Sequence, residues 1–202
     1  MFQGFQVLAF LDTEFTDLVV WPRLLSVGLV AGGAKSEFYA EVTDPDRLSA
    51  TGPFGKGAVL SQFGKIAGAA CSYADLGGRL STFLEGLAAE QESGECIDLA
   101  FGYDLDWTLV DLAIQDSGAL GWDSTRCRIR PVNVYELTGF DAGKTAAETY
   151  FKAQALAPFS RHHALCDARA LRVAYKAAQR AAAKPAPPLV PLDGQTLRTV
   201  TA

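Results

Sequence analysis

Residues 5–15 read Phe-Gln-Val-Leu-Ala-Phe-Leu-Asp-Thr-Glu-Phe. The nearly continuous apolar run at 5–11 predicts a central strand buried on both faces, because a strand with one wet face alternates instead. That strand delivers Asp12 and Glu14 at its end. Residues i and i+2 of a strand project from one face, so the two carboxylates stand together and Thr13 is turned away. Two like charges this close to a buried strand end repel one another and lose hydration. A divalent cation between them removes both costs, and hard oxygen donors suit Mg²⁺ or Mn²⁺. The plain alternative is that both acids open a solvated loop, with Asp12 as a turn or cap residue.

Further along, Leu24–Val30 and Glu37–Val42 read as strands separated by the turn signal Gly32-Gly33, which suggests a three-stranded antiparallel meander. Pro45, Gly52-Pro53 and Gly55 break up residues 43–70, where a short helix near Val59–Ala67 is the one element expected. Gly52-Pro-Phe-Gly-Lys-Gly57 lacks the Gly-x4-Gly-Lys-Ser/Thr of a phosphate-cradling loop, so a nucleotide-binding protein is not read there. Tyr73–Ala89 has helical spacing at Leu76, Leu80, Phe83, Leu84 and Leu87. A fourth strand at Ile97–Phe101 leads to a helix at Trp107–Gln115. A fifth, Arg128–Val134, carries Pro131 and belongs at an edge. Thr145–Leu156 and Ala164–Ala183 are the last two helices. Residues 184–202, rich in proline, predict an extended or disordered tail. The expectation is one α/β domain over residues 1–183, a mixed five-stranded sheet flanked by helices.

A chain of 202 residues, 49% hydrophobic and 20% charged, suffices for one domain with a real core. No stretch approaches the roughly 20 apolar residues of a membrane span, and no basic leader precedes Asp12, so the expected location is cytoplasmic. Cys71, Cys96, Cys127 and Cys166 are scattered without Cys-x-x-Cys spacing and read as reduced thiols. A net charge of −5 argues against coating nucleic acid by bulk electrostatics, though not against gripping a few nucleotides at a metal centre.

His162 and His163 are the only histidines. On a helix starting near 163, Asp167 shares a stripe with Leu171, Ala174 and Ala178, mostly small and apolar and therefore the stripe that packs on the sheet. An inward aspartate needs a compensating partner, and a metal is the natural candidate. His162 lies just before the helix, where its ring could take a proton from an attacking water. The bland alternative pairs Asp167 with an arginine and exposes His162. Arg169, Arg172, Lys176 and Arg180 fall on the opposite face, expected to be solvated. In mid-chain, Asp106 is in phase with Leu109, Val110 and Ala113, whereas Asp104 is in phase with Thr108, Asp111 and Gln115. Asp106 is thus the better ligand and Asp104 the better helix cap.

Together, Asp-Thr-Glu-Phe after a strand, an acid-bearing strand–helix junction and His-His-Ala-Leu-Cys-Asp-Ala resemble the DEDDh 3′–5′ exonucleases. This branch of the RNase H-like superfamily includes oligoribonuclease and the proofreading exonucleases. The stretch from Phe10 to Val30 is similar to small bacterial 3′–5′ exoribonucleases in particular. The resemblance implies an RNase H-like sheet and metal-dependent hydrolysis of single-stranded nucleic acid, RNA favoured over DNA, to nucleoside 5′-monophosphates. It implies two cations, Mg²⁺ or Mn²⁺, on Asp12, Glu14, Asp106 and Asp167, with His162 as general base. Thr13 and Phe15 would contact the substrate's 3′ end. A homodimer is compatible with it, and so are a DNA-directed enzyme and a non-catalytic binding module. The usual middle motif is Asn-x-x-Phe-Asp; here Gly102 and Leu105 stand in place of Asn and Phe.

Overall fold

The computed structural model describes residues 7–33, 35–89, 96–118, 129–136, 140–154 and 159–183. In chain order come β1 (Val7–Phe15), β2 (Leu24–Ala31), β3 (Glu37–Val42), the six-residue helices α1 (Pro45–Ala50) and α2 (Pro53–Ala58), and a 3-10 turn at Leu60–Gln62. Then follow β4 (Ala70–Cys71), α3 (Tyr73–Ala89), β5 (Ile97–Phe101), α4 (Asp104–Asp116), β6 (Ile129–Asn133), a 3-10 turn at Val134–Glu136, α5 (Phe140–Ala153) and α6 (Ala164–Ala182). The strands form one mixed sheet in the order β4-β3-β2-β1-β5-β6. β1, β2 and β3 are the expected antiparallel meander, while β5 runs parallel to β1, and β6 parallel to β5. Among the described residues no helix is long and apolar enough to cross a membrane.

Alternation along β1 divides the core into two layers. Ala9 and Leu11 face α3 and α4, where they join Leu76, Leu80, Leu84, Leu109 and Val110. Phe10 faces the opposite layer with Ala100, Val134, Phe140 and Ala174, and α6 continues that layer over Val30 and Tyr39 through Ala164, Leu165 and Ala168. Both faces of β1 are therefore covered, as its unbroken apolar run requires. Asp12 pairs with Gly28 across the ladder, and Gly28 with Tyr39. At Gly28 the first turn of α6 comes down directly on the sheet: a Cβ there would lie 2.3 Å from the Ala164 carbonyl carbon and 2.4 Å from the Leu165 nitrogen.

Among the described residues the sheet has six strands where five were expected. The extra one, β4, is a two-residue edge paired in parallel with Glu41 and Val42, too short to leave a periodic signal. The expected short helix at Val59–Ala67 is replaced by α1, α2 and the turn at Leu60–Gln62. Pro45 and Pro53, expected to break helices, begin them, because the first helical position has no partner for an N–H. α4 begins three residues before the expected Trp107, and α5 begins at Phe140 rather than Thr145. β6 is an edge strand, as Pro131 requires, and Arg130 bonds Asp98 on β5 through two nitrogens (2.8 and 2.6 Å). The basic residues of α6 are not simply solvated: Arg169 makes a two-pronged bond to Glu37, and Lys176 Nζ donates to the Gly32 carbonyl. Cys71, Cys96 and Cys166 are free thiols. Cys127 and the tail at 184–202 lie outside the described residues.

Gly28→Ala is expected to overpack this contact and lose about 1–3 kcal/mol. Gly33→Ala, with nothing within 4 Å of the added methyl, should stay within about 0.5 kcal/mol of the parent. Urea unfolding of the two variants reads the difference directly, and equal midpoints would show that α6 does not rest on Gly28.

Candidate metal centre

Parallel pairing brings the C-terminal ends of β1 and β5 to the same edge of the sheet, where the first turns of α4 and α6 also begin. β1 runs on through Phe15, so Asp12 and Glu14 are strand residues on the face that α6 covers. The ladder to β2 slips between Glu14 and Phe15, a bulge of the kind that re-aims side chains beside functional sites. Donor atoms of Glu14, His162 and Asp167 all lie within 4.8 Å of one another. Asp106 enters from the first turn of α4 and is buried together with Leu109, Val110 and Ala113, the phase expected from the sequence.

Asp106 does more than face inward. Its Oδ1 accepts the Thr13 hydroxyl (2.7 Å) and the Thr13 N–H (3.3 Å), and its Oδ2 accepts the Tyr103 N–H (3.2 Å). The capping expected of Asp104 is thus carried by Asp106, while Asp104 accepts a bond from the Asn133 side chain (2.8 Å). Thr13, turned away from Asp12 and Glu14, secures the third acid from the other face. Phe15 is half-buried against the α3–α4 layer. At Gly102 a Cβ would stand 3.0 Å from the half-exposed Tyr135 ring, a tight contact.

The electrostatics are those of a site short of positive charge. Burial pushes the Asp12 carboxyl well above the usual range, and the charges of Asp106, Asp167 and Glu14 push it further. Glu14 rises to about 9 through burial and then the charges of Asp167 and Asp106. Asp167 rises to about 7 through burial, offset in part by the His162 N–H (2.9 Å) and by Arg161. Burial lifts Asp106 to about 6 against the pull of its three donors. Arg161, the cation acting on Asp167, is itself bound to Glu148 (2.6 Å). Asp167 Oδ1 is buried and accepts nothing. Crowded hard-oxygen donors, one of them orphaned, fit a divalent cation, which would return each carboxyl to its ionised form.

No protein-family model matches this chain, and no curated protein does.

The adjacent histidines have separate fates. His162 is half-buried at the cluster, with φ +67°, a left-handed backbone uncommon outside glycine that its surroundings must hold in place. Burial, and then Arg161, lower its pKa from the usual 6.5. His163 caps α6 from the core at 1% exposure, stacked on Tyr39 (4.4 Å between centroids) and tilted against Phe159 (4.3 Å). Neither of its ring nitrogens finds a partner, and burial holds it neutral, with a pKa of about 4. A mild His163→Ala is the natural expectation from a residue outside the chemistry. That expectation concerns turnover; the ring is core, so the cost of the change falls on stability.

Features without a sequence signal surround the acids. A cavity of about 280 Å³ opens from Asp12 and Asp167 along α5, between Lys144, Arg161 and the aromatic rings of Tyr135 and Phe140. Phe54 of α2, 63% exposed, meets the His162 ring edge-on at 5.0 Å.

The folded protein keeps these carboxyls protonated at pH values where the unfolded chain ionises them. In EDTA its stability should therefore fall as pH rises from the ordinary 4.5 of a glutamate through about 9. Glu14→Gln should flatten that decline and raise the urea midpoint at pH 8, and Mn²⁺ should do the same for the parent. Stability that climbs with pH in EDTA would mean the acids are compensated in some other way.

Proposed function

We propose that this chain is a metal-dependent 3′–5′ exonuclease with an RNase H-like domain over residues 1–183, acting in the cytoplasm on single-stranded nucleic acid, RNA by preference. The observation that carries the reading is the meeting of five side chains from three distant segments, Asp12, Glu14, Asp106, His162 and Asp167, at one corner of the sheet. The four carboxyls there are desolvated and all raised, and the pull of Arg161 on Asp167 does not offset its burial. A solvated loop or a helix cap would leave them in their ordinary range. The RNA preference rests on the likeness of residues 10–30 to small bacterial exoribonucleases.

Asp12, Glu14, Asp106 and Asp167 would hold two divalent cations, Mg²⁺ or Mn²⁺. When bound, these would neutralise charge developing on the phosphodiester and on the leaving 3′-oxygen. His162 takes the proton of the attacking water, and its lowered pKa keeps the ring neutral, hence basic, at pH 7. Thr13 and Phe15 adjoin the acids in sequence, but the Thr13 hydroxyl is taken by Asp106 and Phe15 packs in part on the α3–α4 layer, so Thr13 would meet the terminal nucleotide through its backbone and Phe15 through the exposed part of its ring. Lys144 and Arg161 add positive charge beside the same cavity.

Matched labelled RNA and DNA oligomers, digested side by side with Mg²⁺, Mn²⁺ or EDTA, test the reading. Mononucleotides should appear only with metal, and faster from RNA. Faster release from DNA would make the enzyme DNA-directed, and metal-dependent binding without release would make it a binding module. Asp12→Ala should abolish hydrolysis, and full turnover in that variant sinks the proposal. Asp106→Asn should cost far more than Asp104→Asn, whose carboxyl serves Asn133 outside the cluster.

His162→Ala should slow turnover by roughly 10²–10⁴-fold and remove the rising limb of the pH–rate profile. In the parent that limb should lie below 6.5, because burial and Arg161 both disfavour the imidazolium. His163→Ala should instead lose on the order of 3 kcal/mol of stability. A His163→Ala variant that stays fully stable yet loses turnover would reverse the two roles.

A further inference from the structure

Gln62 closes the 3-10 turn after α2 and is 6% exposed, nearly a hundred residues from the groups it serves. Its Nε2 donates to the carbonyls of Ala58 (2.8 Å) and Arg161 (3.0 Å). Its Oε1 accepts the Ser160 N–H (3.0 Å) and, at 3.4 Å, the Ser160 hydroxyl. One amide thus binds an N–H and a C=O of neighbouring residues in the same segment, as a paired strand would. The two ends of the amide are not interchangeable here, since a flip would set donor against donor and acceptor against acceptor.

The next residue is His162, in the left-handed conformation described above. A non-glycine residue stays there only where its flanks are fixed. On the far side, the His163 carbonyl accepts the Asp167 N–H (3.0 Å). On the near side, the 161–162 peptide is held at its N–H by Asp167 Oδ2 (2.9 Å) and at its C=O by Gln62, which also holds Ser160. The bonds of Arg161 to Glu148 and of its guanidinium to the Phe151 face (4.4 Å) restrain a side chain, not the peptide.

We propose that Gln62 is a positioning residue for His162: it clamps the backbone at 160–161 and so fixes the twist that aims the imidazole at the acid cluster. It touches none of the four acids. The segment between β3 and β4 thereby has a purpose that its sequence does not declare, bringing Phe54 to the His162 ring and Gln62 to its backbone. The catalytic half of this assignment rests on the proposed role of His162. The clamp itself does not.

The test is a double-mutant cycle on the full chain. Gln62→Met keeps the volume and removes every bond. Gln62→Glu keeps the acceptor for Ser160, weakens donation to the carbonyls, and serves should Gln62→Met fold poorly. With His162 present, Gln62→Met should lower kcat by roughly 10–100-fold with KM nearly unchanged. In a His162→Ala background the same change should cost less than about twofold. Equal losses in both backgrounds would reduce Gln62 to a merely structural residue and overturn the proposal.

A readout without activity runs in parallel. The Ser160 amide should exchange with solvent at least about tenfold faster in Gln62→Met. Of the two histidine ring signals, that of His162 should shift while that of His163 stays. Unchanged Ser160 exchange would overturn the clamp. A faster exchange and a shifted His162 signal, in a chain that hydrolyses neither RNA nor DNA, would uphold the clamp and overturn the exonuclease reading alone.

Discussion

The first turn of α6 lies backbone against backbone on β2 at Gly28, where one added methyl would stand 2.3 Å from a carbonyl carbon. That distance sets the height of α6 above the sheet. Gly28 is the ladder partner of Asp12, so the helix starts directly over the first acid. Four residues into α6, Asp167 then falls beside Glu14, and the turn before it brings in His162. A helix riding one side chain higher would still bury Ala168 and Ala174 somewhere, but it would not close the cluster. Small residues at 164, 168, 170, 174 and 178 keep the approach close along the whole contact.

The acids gathered by that approach oppose the fold that gathers them. Each is moved from water into a crowded corner, and nearby carboxyls raise the cost of ionising Asp12 and Glu14. Asp106 is lifted least, to about 6, because two hydrogen bonds from Thr13 and one from Tyr103 stabilise its charge before any ion arrives. It serves as the fixed wall, and Asp12, Glu14 and Asp167 as the charge that an ion would resolve. Thr13 therefore links the two faces of β1, its neighbours turned to α6 and its own hydroxyl to α4.

Much of this was legible in the chain. The unbroken apolar run before Asp12 signalled a strand covered on both faces. Helical phase picked out Asp106 over Asp104 and put Asp167 on the packing stripe. What escaped shares a cause: interactions between residues far apart that carry no periodicity. β4 is two residues long and exists only because β3 lies beside it. Pro45 and Pro53 looked like breaks, although the same chemistry makes proline a helix starter. Gln62 is an unremarkable residue in an unpatterned stretch, and its partners sit near the opposite end of the chain. His163 looked like a bystander to His162 because nothing local announces that Tyr39 and Phe159 will enclose it.

The two margins of the sheet bear on how the molecule behaves in company. An open strand edge is an invitation to any other chain in extended form, and fibrils grow by accepting it. Here one margin is the two-residue β4, too brief to template a neighbour, and the other is β6, whose Pro131 has no N–H to offer and whose Arg130 brings charge. The strand bearing Asp12 and Glu14 lies between them. Among the described residues, neither border strand offers another chain a long run of free backbone N–H groups.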